Sequence, residues 1–307
     1  MKINIENLTK SYGAQRAVDN ISFKVNTGEI LGFLGPNGAG KTTTMKMITQ
    51  FLELEEGDIT INGKSIKNGF DKTHIGYLPE HNPLYTDMAV MDYLGFCASL
   101  QGVPKSQINE RTVQMVKLCG LNVEKHKKIN ELSKGYRQRV GLAQAMIHDP
   151  EILILDEPTT GLDPNQIVEI RELIKKMGRQ KTVILSTHIL PEVEATCDRI
   201  LIINKGKIVA DGTASTLRKQ AEGQQILQVK IDGSQADDIA NGLRSLGDVK
   251  EVTIKDLEAK RFEIQSMPEA KTNSSIFNLC VQKNWILTEM IPYETKLEDI
   301  FRDLTMN

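Results

Sequence analysis

The chain has 307 residues, 40% hydrophobic and 25% charged, with a formal net charge of -2. This composition is typical of a globular protein long enough for two domains, and the near-neutral charge gives no indication of a nucleic-acid partner. The sequence shows no apolar stretch of about 18 residues, the length that a membrane helix needs. Its strand-like start does not resemble a signal peptide. The four cysteines are scattered, so they indicate neither disulfides nor a zinc site and fit a reducing cytosol.

Short apolar runs separated by turns predict strands in residues 1–34, the last of them Glu29–Leu34. Tyr12 is predicted to lie in a polar turn, Lys10–Gly13, where an aromatic residue is not needed for a core. It could be a half-exposed packing residue or a stacking surface for a nucleotide base. The phosphate-binding pattern that follows favours stacking.

Residues Gly35 to Thr42 fit the phosphate-loop pattern of two glycines, then Lys and Ser or Thr. The stretch is Gly35-Pro36-Asn37-Gly38-Ala39-Gly40-Lys41-Thr42. A predicted strand precedes it and a predicted helix, Thr43–Thr49, follows, so backbone N–H groups and a helix N-terminus would surround an anion. Lys41 would reach the terminal phosphates and the Thr42 hydroxyl would bind Mg²⁺. The alternative is a glycine-rich turn that matches by chance, which the agreement of loop, Lys, Thr and both flanking elements disfavours.

The next segment predicts two strands and then a helical insertion at about 83–150. Gly57–Gly63 is a strand that ends in an Asn-Gly turn, and Ile75–Glu80 is a strand that Pro79 ends. Helices are predicted over 88–101 and 106–119. A capped helix follows, with Ser133 as the N-cap, Gly135 in the first turn and Val140–Ile147 as its apolar run.

Glu151–Pro158 is the second strong signal, because four apolar residues predict a strand buried on both faces and two acids follow it. Ligands of open α/β sheets gather at strand ends. There Asp156 could bind Mg²⁺ and Glu157 could orient or deprotonate an attacking water. The alternative is a simple helix cap after a core strand.

Asp163 and Pro164 predict the start of another helix, whose buried stripe would comprise Ile167, Ile170, Ile174 and Met177. Thr182–His188 predicts a further buried strand of the same sheet. A lone histidine is more often structural, but His188 would end beside the two acids. Residues 200–212 predict a hairpin.

The pattern changes near residue 215. Residues 217–225 predict a linker or short helix, and 296–304 a final amphipathic helix. Between them the predicted order is strand, helix, strand, strand, helix, strand (226–231, 236–246, 249–256, 261–266, 269–283, 285–291). This βαββαβ order predicts a small α+β ferredoxin-like domain. With no catalytic constellation in 216–307, a regulatory or contact role is expected.

Together these motifs resemble, in order, the ATP-binding subunit of an ABC transporter. The resemblance implies an α/β P-loop NTPase core with a helical subdomain in residues 1–215, and an accessory domain in 216–307. It implies that Leu132–Tyr136 is the signature that contacts the terminal phosphate on the other subunit. It implies the following ATP contacts: Tyr12, Gly35, Pro36, Asn37, Gly38, Ala39, Gly40, Lys41, Thr42, Thr43, Ser133, Gly135, Gln138 and Asp163.

The same resemblance assigns chemistry to the strand ends. Glu157 would be the catalytic base and His188 the switch that contacts the γ-phosphate. Thr42, Asp156 and Glu80 would hold Mg²⁺, and Glu80 would also contact the attacking water. The sequence departs from the common family pattern at Glu80, where Gln is usual, and in the signature, with Lys134 for Gly and Tyr136 for Gln. A carboxylate at residue 80 can bind metal or accept from water but cannot donate.

The resemblance also implies partners. We expect ATP and Mg²⁺ as cofactors, a second ATPase subunit in a homodimer, an integral membrane permease, and no nucleic acid. Such a chain would lie on the cytoplasmic face of the cell membrane, held there by the permease. The tail indicates the export-type branch with an extra C-terminal domain, where the chain is similar to the ATPases associated with gliding motility. The alternatives are an ABC-type ATPase of translation or DNA maintenance, and a non-catalytic nucleotide sensor.

Overall fold

The structure is a computed structural model that describes residues 2–221, 226–267, 270, 272–293 and 297–306. The chain divides into two compact units, Met1–Thr213 and Ala214–Asn307. Parts of three predictions lie outside the described residues: 222–225 of the linker, 269 and 271 of a helix, and 296 of the last helix. Within the described ranges, no helix is long and apolar enough to cross a membrane.

Two sheets form the framework of the first unit. The strands are β1 (Ile3–Tyr12), β2 (Gln15–Val25), β3 (Ile30–Leu34), β4 (Glu56–Ile61), β5 (Lys64–Ser65), β6 (Ile75–Leu78), β7 (Ile152–Asp156), β8 (Thr182–Thr187), β9 (Arg199–Asn204) and β10 (Lys207–Gly212). An antiparallel sheet has the order β2-β1-β4-β5. The second sheet has the order β10-β9-β3-β8-β7-β6 and is parallel except for the β9–β10 hairpin, which confirms the predicted hairpin.

Helices connect these strands and form the predicted insertion. They are α1 (Lys41–Ile48), α2 (Val90–Leu100), α3 (Ile108–Leu118), α4 (Lys134–Met146), α5 (Pro164–Gly178) and α6 (Leu190–Thr196), with short 3₁₀ turns at Ile66–Asn68, Lys72–His74 and Ile129–Glu131. The insertion comprises α2, α3 and α4. Both predicted caps are confirmed: the Ser133 hydroxyl accepts from the Tyr136 N–H at 3.4 Å, and Asp163 accepts from the Gln166 N–H at 3.0 Å.

Strand β7 lies between β8 and β6 and is buried on both faces, as its four apolar residues predict. Successive side chains of a strand point to opposite faces. Ile152 and Ile154 accordingly pack in the cluster that contains the antiparallel sheet and α1. Leu153 and Leu155 pack in the cluster that contains α2 to α5. The strand is therefore fixed from both sides, and so is the start of the loop that follows it.

Two local predictions were wrong. Tyr12 is the last residue of β1 and not part of a turn, because it pairs with Gln15 across a hairpin that turns at Gly13, where φ is +59°. Ile167 is only half-buried, whereas Ile170, Ile174 and Met177 are buried as expected. Ile167 lies at the margin of the stripe, where burial depends on neighbouring elements rather than on spacing.

The second unit has the predicted βαββαβ order. Its elements are α7 (Ala214–Ala221), β11 (Ile226–Asp232), α8 (Ala236–Arg244), β12 (Val249–Asp256), β13 (Arg261–Ser266), α9 (Thr272–Lys283), β14 (Ile286–Tyr293) and α10 (Leu297–Met306). The sheet order is β12-β13-β11-β14 with every neighbouring pair antiparallel. Phe262, Ile264 and Val229 face a core completed by α8 and α9.

Candidate functional site

The carboxyl ends of four strands meet at one edge of the parallel sheet. In the order β3-β8-β7-β6 all four strands run in the same direction. Leu34 lies opposite Thr187, and Asp156 lies opposite Ser186. The segments that leave this edge carry the phosphate loop, His188, Glu157 and Glu80. Residues from four distant parts of the sequence are thereby gathered in one place, where α/β sheets bind ligands.

Two glycines allow the phosphate loop to pack closely against its neighbours. A Cβ on Gly40 would lie 2.3 Å from the carbonyl oxygen of Ala17, and φ at Gly40 is +106°. A Cβ on Gly35 would lie 2.4 Å from the carbonyl oxygen of Ile203. Only glycine fits either position without a shift of the backbone. The loop then leads directly into α1, whose first residue is Lys41.

The Lys41 side chain turns back into the phosphate loop. Its Nζ donates hydrogen bonds to the carbonyl oxygens of Gly35, at 2.8 Å, and Pro36, at 3.2 Å. It also lies 3.4 Å from Oε1 of Glu157, and both side chains are 6% exposed. A buried ammonium group is thus held at the centre of a loop whose N–H groups can bind an anion.

Glu157 is held from several directions. Its backbone has a φ of +50°, which is uncommon for a residue with a side chain, and its N–H donates to the Ser186 carbonyl at 3.1 Å. Its Oε2 accepts from the Thr160 hydroxyl at 3.1 Å and lies 2.9 Å from Nδ1 of His188. The carboxylate is buried, so its oxygens have a fixed direction.

Asp156 has the features of a metal ligand. It is completely buried, its Oδ1 accepts a short hydrogen bond from the Ser186 hydroxyl, and its Oδ2 has no hydrogen-bond partner among the described residues. Burial raises the pKa of the Asp156 carboxyl, and the charges of Glu80 and Glu157 raise it further, while the nearby Ser186 and Thr42 hydroxyls oppose the rise. A cation beside Oδ2 would satisfy that oxygen and stabilise its ionised form.

Thr42, Asp156 and Glu80 line the same cavity, of about 670 Å³. In the part of the chain that the structure describes, no cluster of three or more His, Cys, Asp or Glu residues is arranged to hold a metal. The donor set is instead one hydroxyl and two carboxylates. Such a set fits Mg²⁺, which keeps several waters and substrate phosphates among its ligands rather than entering an all-protein cage.

A second cavity, of about 400 Å³, extends from Tyr12 to the phosphate loop. Tyr12 is 52% exposed, so its ring is available for stacking. The lining consists of Tyr12, Gln15, Ala17, Asn37, Gly38, Gly40, Lys41, Thr42, Thr43, Glu80 and Glu157. The cavity has an aromatic side at one end and anion-binding groups at the other, as a nucleotide requires.

The signature residues do not line this cavity. Ser133 and Asp163 are exposed. Gly135 is buried, and a Cβ at this position would lie 2.6 Å from the Gln166 side chain. Gln138 is also buried, and the Asn82 amide lies 3.5 Å from its Oε1. The structure therefore does not bring Ser133, Gly135, Gln138 or Asp163 to the phosphate loop of the same chain.

Three residues of the site region carried no recognisable signal in the sequence. Ser186 contacts both Asp156 and Glu157. Asn82 donates to the Arg137 carbonyl at 2.9 Å and so joins the segment after Glu80 to the signature helix. Glu192 accepts from two buried threonine hydroxyls beside the site. The Asp-Glu pair and the strand-end histidine indicated where the site lies, but not which neighbours support it.

Comparison with known proteins identifies relatives across the whole chain. The family model for ABC transporters matches residues 18–160. The linearmycin resistance ATP-binding protein LnrL of Bacillus subtilis is 34% identical over 307 residues, 99% of this chain and 98% of the relative. The bacitracin transport ATP-binding protein BcrA of Bacillus licheniformis is 38% identical over 222 residues, 71% and 72% of the two chains. A solved ATP-binding subunit of an ABC transporter is 30% identical, covers 72% of this chain and 93% of its own, and has a TM-score of 0.65.

Proposed function

The chain belongs to the ABC transporter ATP-binding proteins, a family of ATPases that use ATP and Mg²⁺, and on that premise we propose that it hydrolyses ATP in a dimer to drive a separate membrane permease. The observation that carries this proposal is the convergence of Lys41, Asp156, Glu157 and His188 at one sheet edge.

Each of these side chains has a task in ATP hydrolysis that its geometry supports. The phosphate loop and Lys41 would bind the β- and γ-phosphates, and Tyr12 would stack on adenine. Mg²⁺, held by Thr42, Asp156 and Glu80, would neutralise charge that develops on the phosphates. Glu157 would orient and deprotonate the attacking water, with His188 beside it to contact the γ-phosphate. Phosphoryl transfer needs little more than such positioning and charge stabilisation.

A dimer is proposed because the signature does not reach the phosphate loop of its own chain. Ser133 is exposed at the start of α4, and neither it nor Gly135 lines the nucleotide cavity. A helix N-terminus of this kind can bind a phosphate. A second copy related by two-fold symmetry would place each signature on the ATP bound by the other chain. Closure on ATP and reopening after hydrolysis would then be a two-state movement.

The permease would contact the first unit beside the larger cavity. That cavity extends from Glu80 and Asp156 to Phe51 and Tyr93. Phe51 and Tyr85 are 72% and 60% exposed, and the Tyr85 ring lies 5.7 Å from that of Phe96. An aromatic surface of this kind favours protein binding. A photo-cross-linker at residue 85 should yield a permease adduct in membranes, and absence of such a product would count against this surface.

We propose export as the direction of transport. LnrL is named for resistance and matches nearly the full length of this chain, including the second unit. Association with gliding motility stays a prediction of the resemblance in the sequence. Deletion of the gene in its native cell would test both proposals. Increased antibiotic sensitivity would support a role in export for resistance, and loss of surface movement would support an association with gliding motility.

Co-purification tests the proposed partnership. The tagged chain would be isolated from gently solubilised membranes and its companions identified by mass spectrometry. Recovery of a multi-spanning protein that alters the ATPase rate is the expected result. A chain found only in the soluble fraction, hydrolysing ATP without a membrane partner, would favour an ABC-type ATPase outside transport.

A further inference from the structure

We infer that Glu192 is a positioning residue that clamps the loop carrying Glu157 to the strand end carrying His188. Glu192 belongs to α6, the short helix that begins two residues after His188. Its side chain is 3% exposed. This inference rests on the proposed roles of Glu157 and His188. It adds that Glu192 sets the distance between their side chains.

Both oxygens of the Glu192 carboxylate are used, and they bind different segments. Oε1 accepts from the Thr159 hydroxyl at 2.6 Å. Oε2 accepts from the Thr187 hydroxyl at 2.8 Å. Thr159 is two residues beyond Glu157, and Thr187 immediately precedes His188. One carboxylate thus joins the loop that follows β7 to the end of β8.

The two threonines have little freedom to move independently of this carboxylate. Thr159 and Thr187 are 2% and 0% exposed, so water cannot replace a lost partner without entering the core. The Thr187 hydroxyl also accepts from the Ile189 N–H at 3.1 Å while it donates to Glu192. Pro158, between Glu157 and Thr159, further restricts the backbone of the loop. A displacement of Thr159 would therefore be transmitted to Glu157.

A buried carboxylate is energetically unfavourable as a purely structural contact. Among the ion pairs of the described residues, none includes Glu192, and burying a carboxylate without a cation is unfavourable. The group does, however, accept two hydrogen bonds at once with a fixed angle between them. The geometry points to positioning: the Glu192 clamp holds Glu157 and His188 within the 2.9 Å contact that their side chains make.

The prediction is a loss of turnover without a loss of ATP binding. In the full-length chain, Glu192→Ala should lower kcat about tenfold or more, because misplaced catalytic groups are costly. KM for ATP should change by no more than about twofold, since Glu192 does not line the nucleotide cavity. Glu192→Gln, which can still bond both hydroxyls, should recover most of the lost kcat. Glu194→Ala on the same helix is the matched control and should leave kcat within about twofold.

A double-mutant cycle distinguishes positioning from general destabilisation. If Glu192 acts through His188 and Glu157, Glu192→Ala should lower kcat far less in a His188→Ala background than in the wild type. An undiminished effect in that background would overturn the inference, and so would wild-type kcat in Glu192→Ala. If Glu192→Ala does not fold, Thr187→Val serves instead, with Thr187→Ser as the variant that restores the hydroxyl. Equal kcat in Thr187→Val and Thr187→Ser would also overturn it.

Failure of this inference is distinguishable from failure of the proposed function. The proposed function requires wild-type hydrolysis that Glu157→Gln abolishes. If that result holds while Glu192→Ala turns over normally, only the Glu192 clamp is refuted. If Glu157→Gln also turns over normally, the assignment of the base is refuted, whatever Glu192 does.

Discussion

Nδ1 of His188 lies 2.9 Å from Oε2 of Glu157, although the two residues follow different strands. The other oxygen of that carboxylate lies 3.4 Å from Nζ of Lys41. Glu157 is therefore held between the phosphate loop and the end of β8. This arrangement places the proposed base, the proposed phosphate-binding ammonium group and a histidine around one point, where the γ-phosphate and its attacking water would meet.

Removal of the histidine should slow hydrolysis while ATP still binds. We predict that His188→Ala lowers kcat by about 100-fold or more, the usual contribution of a positioned catalytic side chain. ATP affinity should remain because the phosphate loop is intact. Steady-state ATPase assays and nucleotide titrations would check both statements. His126→Ala, at another exposed histidine, is the control. A His188→Ala protein with normal kcat would remove His188 from the mechanism.

Lys41→Ala should weaken ATP binding directly. The ammonium would replace its bonds to the Gly35 and Pro36 carbonyls with bonds to phosphate oxygens, and a charged hydrogen bond contributes about 1.5–3 kcal/mol. The dissociation constant should therefore rise by about 10- to 150-fold. Lys46→Ala, on the same helix but exposed, should bind ATP normally. Unchanged affinity in Lys41→Ala would mean that residues 35–42 do not bind the phosphates.

Asp156→Asn should stabilise the ATP-free protein while it removes the proposed Mg²⁺ ligand. The folded-state pKa of Asp156 lies above its ordinary value of 3.8, so the ionised side chain destabilises the fold at pH values above the raised pKa. Asn keeps the bond from Ser186 without that charge. We expect a higher Tm for Asp156→Asn at neutral pH, with about 2–4 °C for each kcal/mol.

The pH dependence provides the internal control for this variant. As the pH falls through the raised pKa and below 3.8, wild-type Asp156 becomes neutral and the difference in Tm should disappear. Addition of ATP and Mg²⁺ at neutral pH should raise the Tm of the wild type more than that of Asp156→Asn. A lower Tm for Asp156→Asn at neutral pH would contradict the assignment of an uncompensated buried charge.

Two inactive chains should restore activity when mixed, if each ATP lies between subunits. Lys41→Ala retains its signature, and Ser133→Arg retains its phosphate loop, so a mixed dimer contains one complete site. Statistical mixing of equal amounts should give about a quarter of the wild-type rate. The ATPase rate of the mixture, compared with that of each variant alone, is the measurement. A mixture no faster than the sum of its parts would contradict a site shared between subunits.

The sequence predicts where the candidate site lies better than it predicts which neighbouring residues support that site. Apolar runs ending in Asp156, Glu157 and His188 predict buried strands, and parallel strands gather their ends at one edge. Local patterning does not specify which residues lie opposite each other. Ser186 directly follows the apolar run Val183–Leu185, and only the pairing of β7 with β8 places it against Asp156. Such long-range register has no local signature.

The wrong prediction at Tyr12 also arises from long-range strand pairing that local sequence does not show. Lys10 and Ser11 are polar and suggest a turn, but pairing with β2 extends β1 as far as Tyr12. Lys10 then forms an ion pair with Glu55 at 2.7 Å, a contact that sequence spacing cannot show. Tertiary pairing outweighs residue preference at such positions. The second unit has the element order that its sequence predicts.

The most direct test of the proposed ATP-driven dimer is the mass of the Glu157→Gln chain with and without ATP and Mg²⁺. Light scattering after size-exclusion chromatography gives that mass. Gln at residue 157 keeps the side-chain shape but cannot act as a base, so ATP should bind without hydrolysis. We predict a monomer without ATP and a stable dimer with it, containing intact ATP. A Glu157→Gln chain that stays monomeric with ATP would contradict the proposed ATP-driven dimer, and one that hydrolyses ATP at the wild-type rate would refute the assignment of Glu157 as the base.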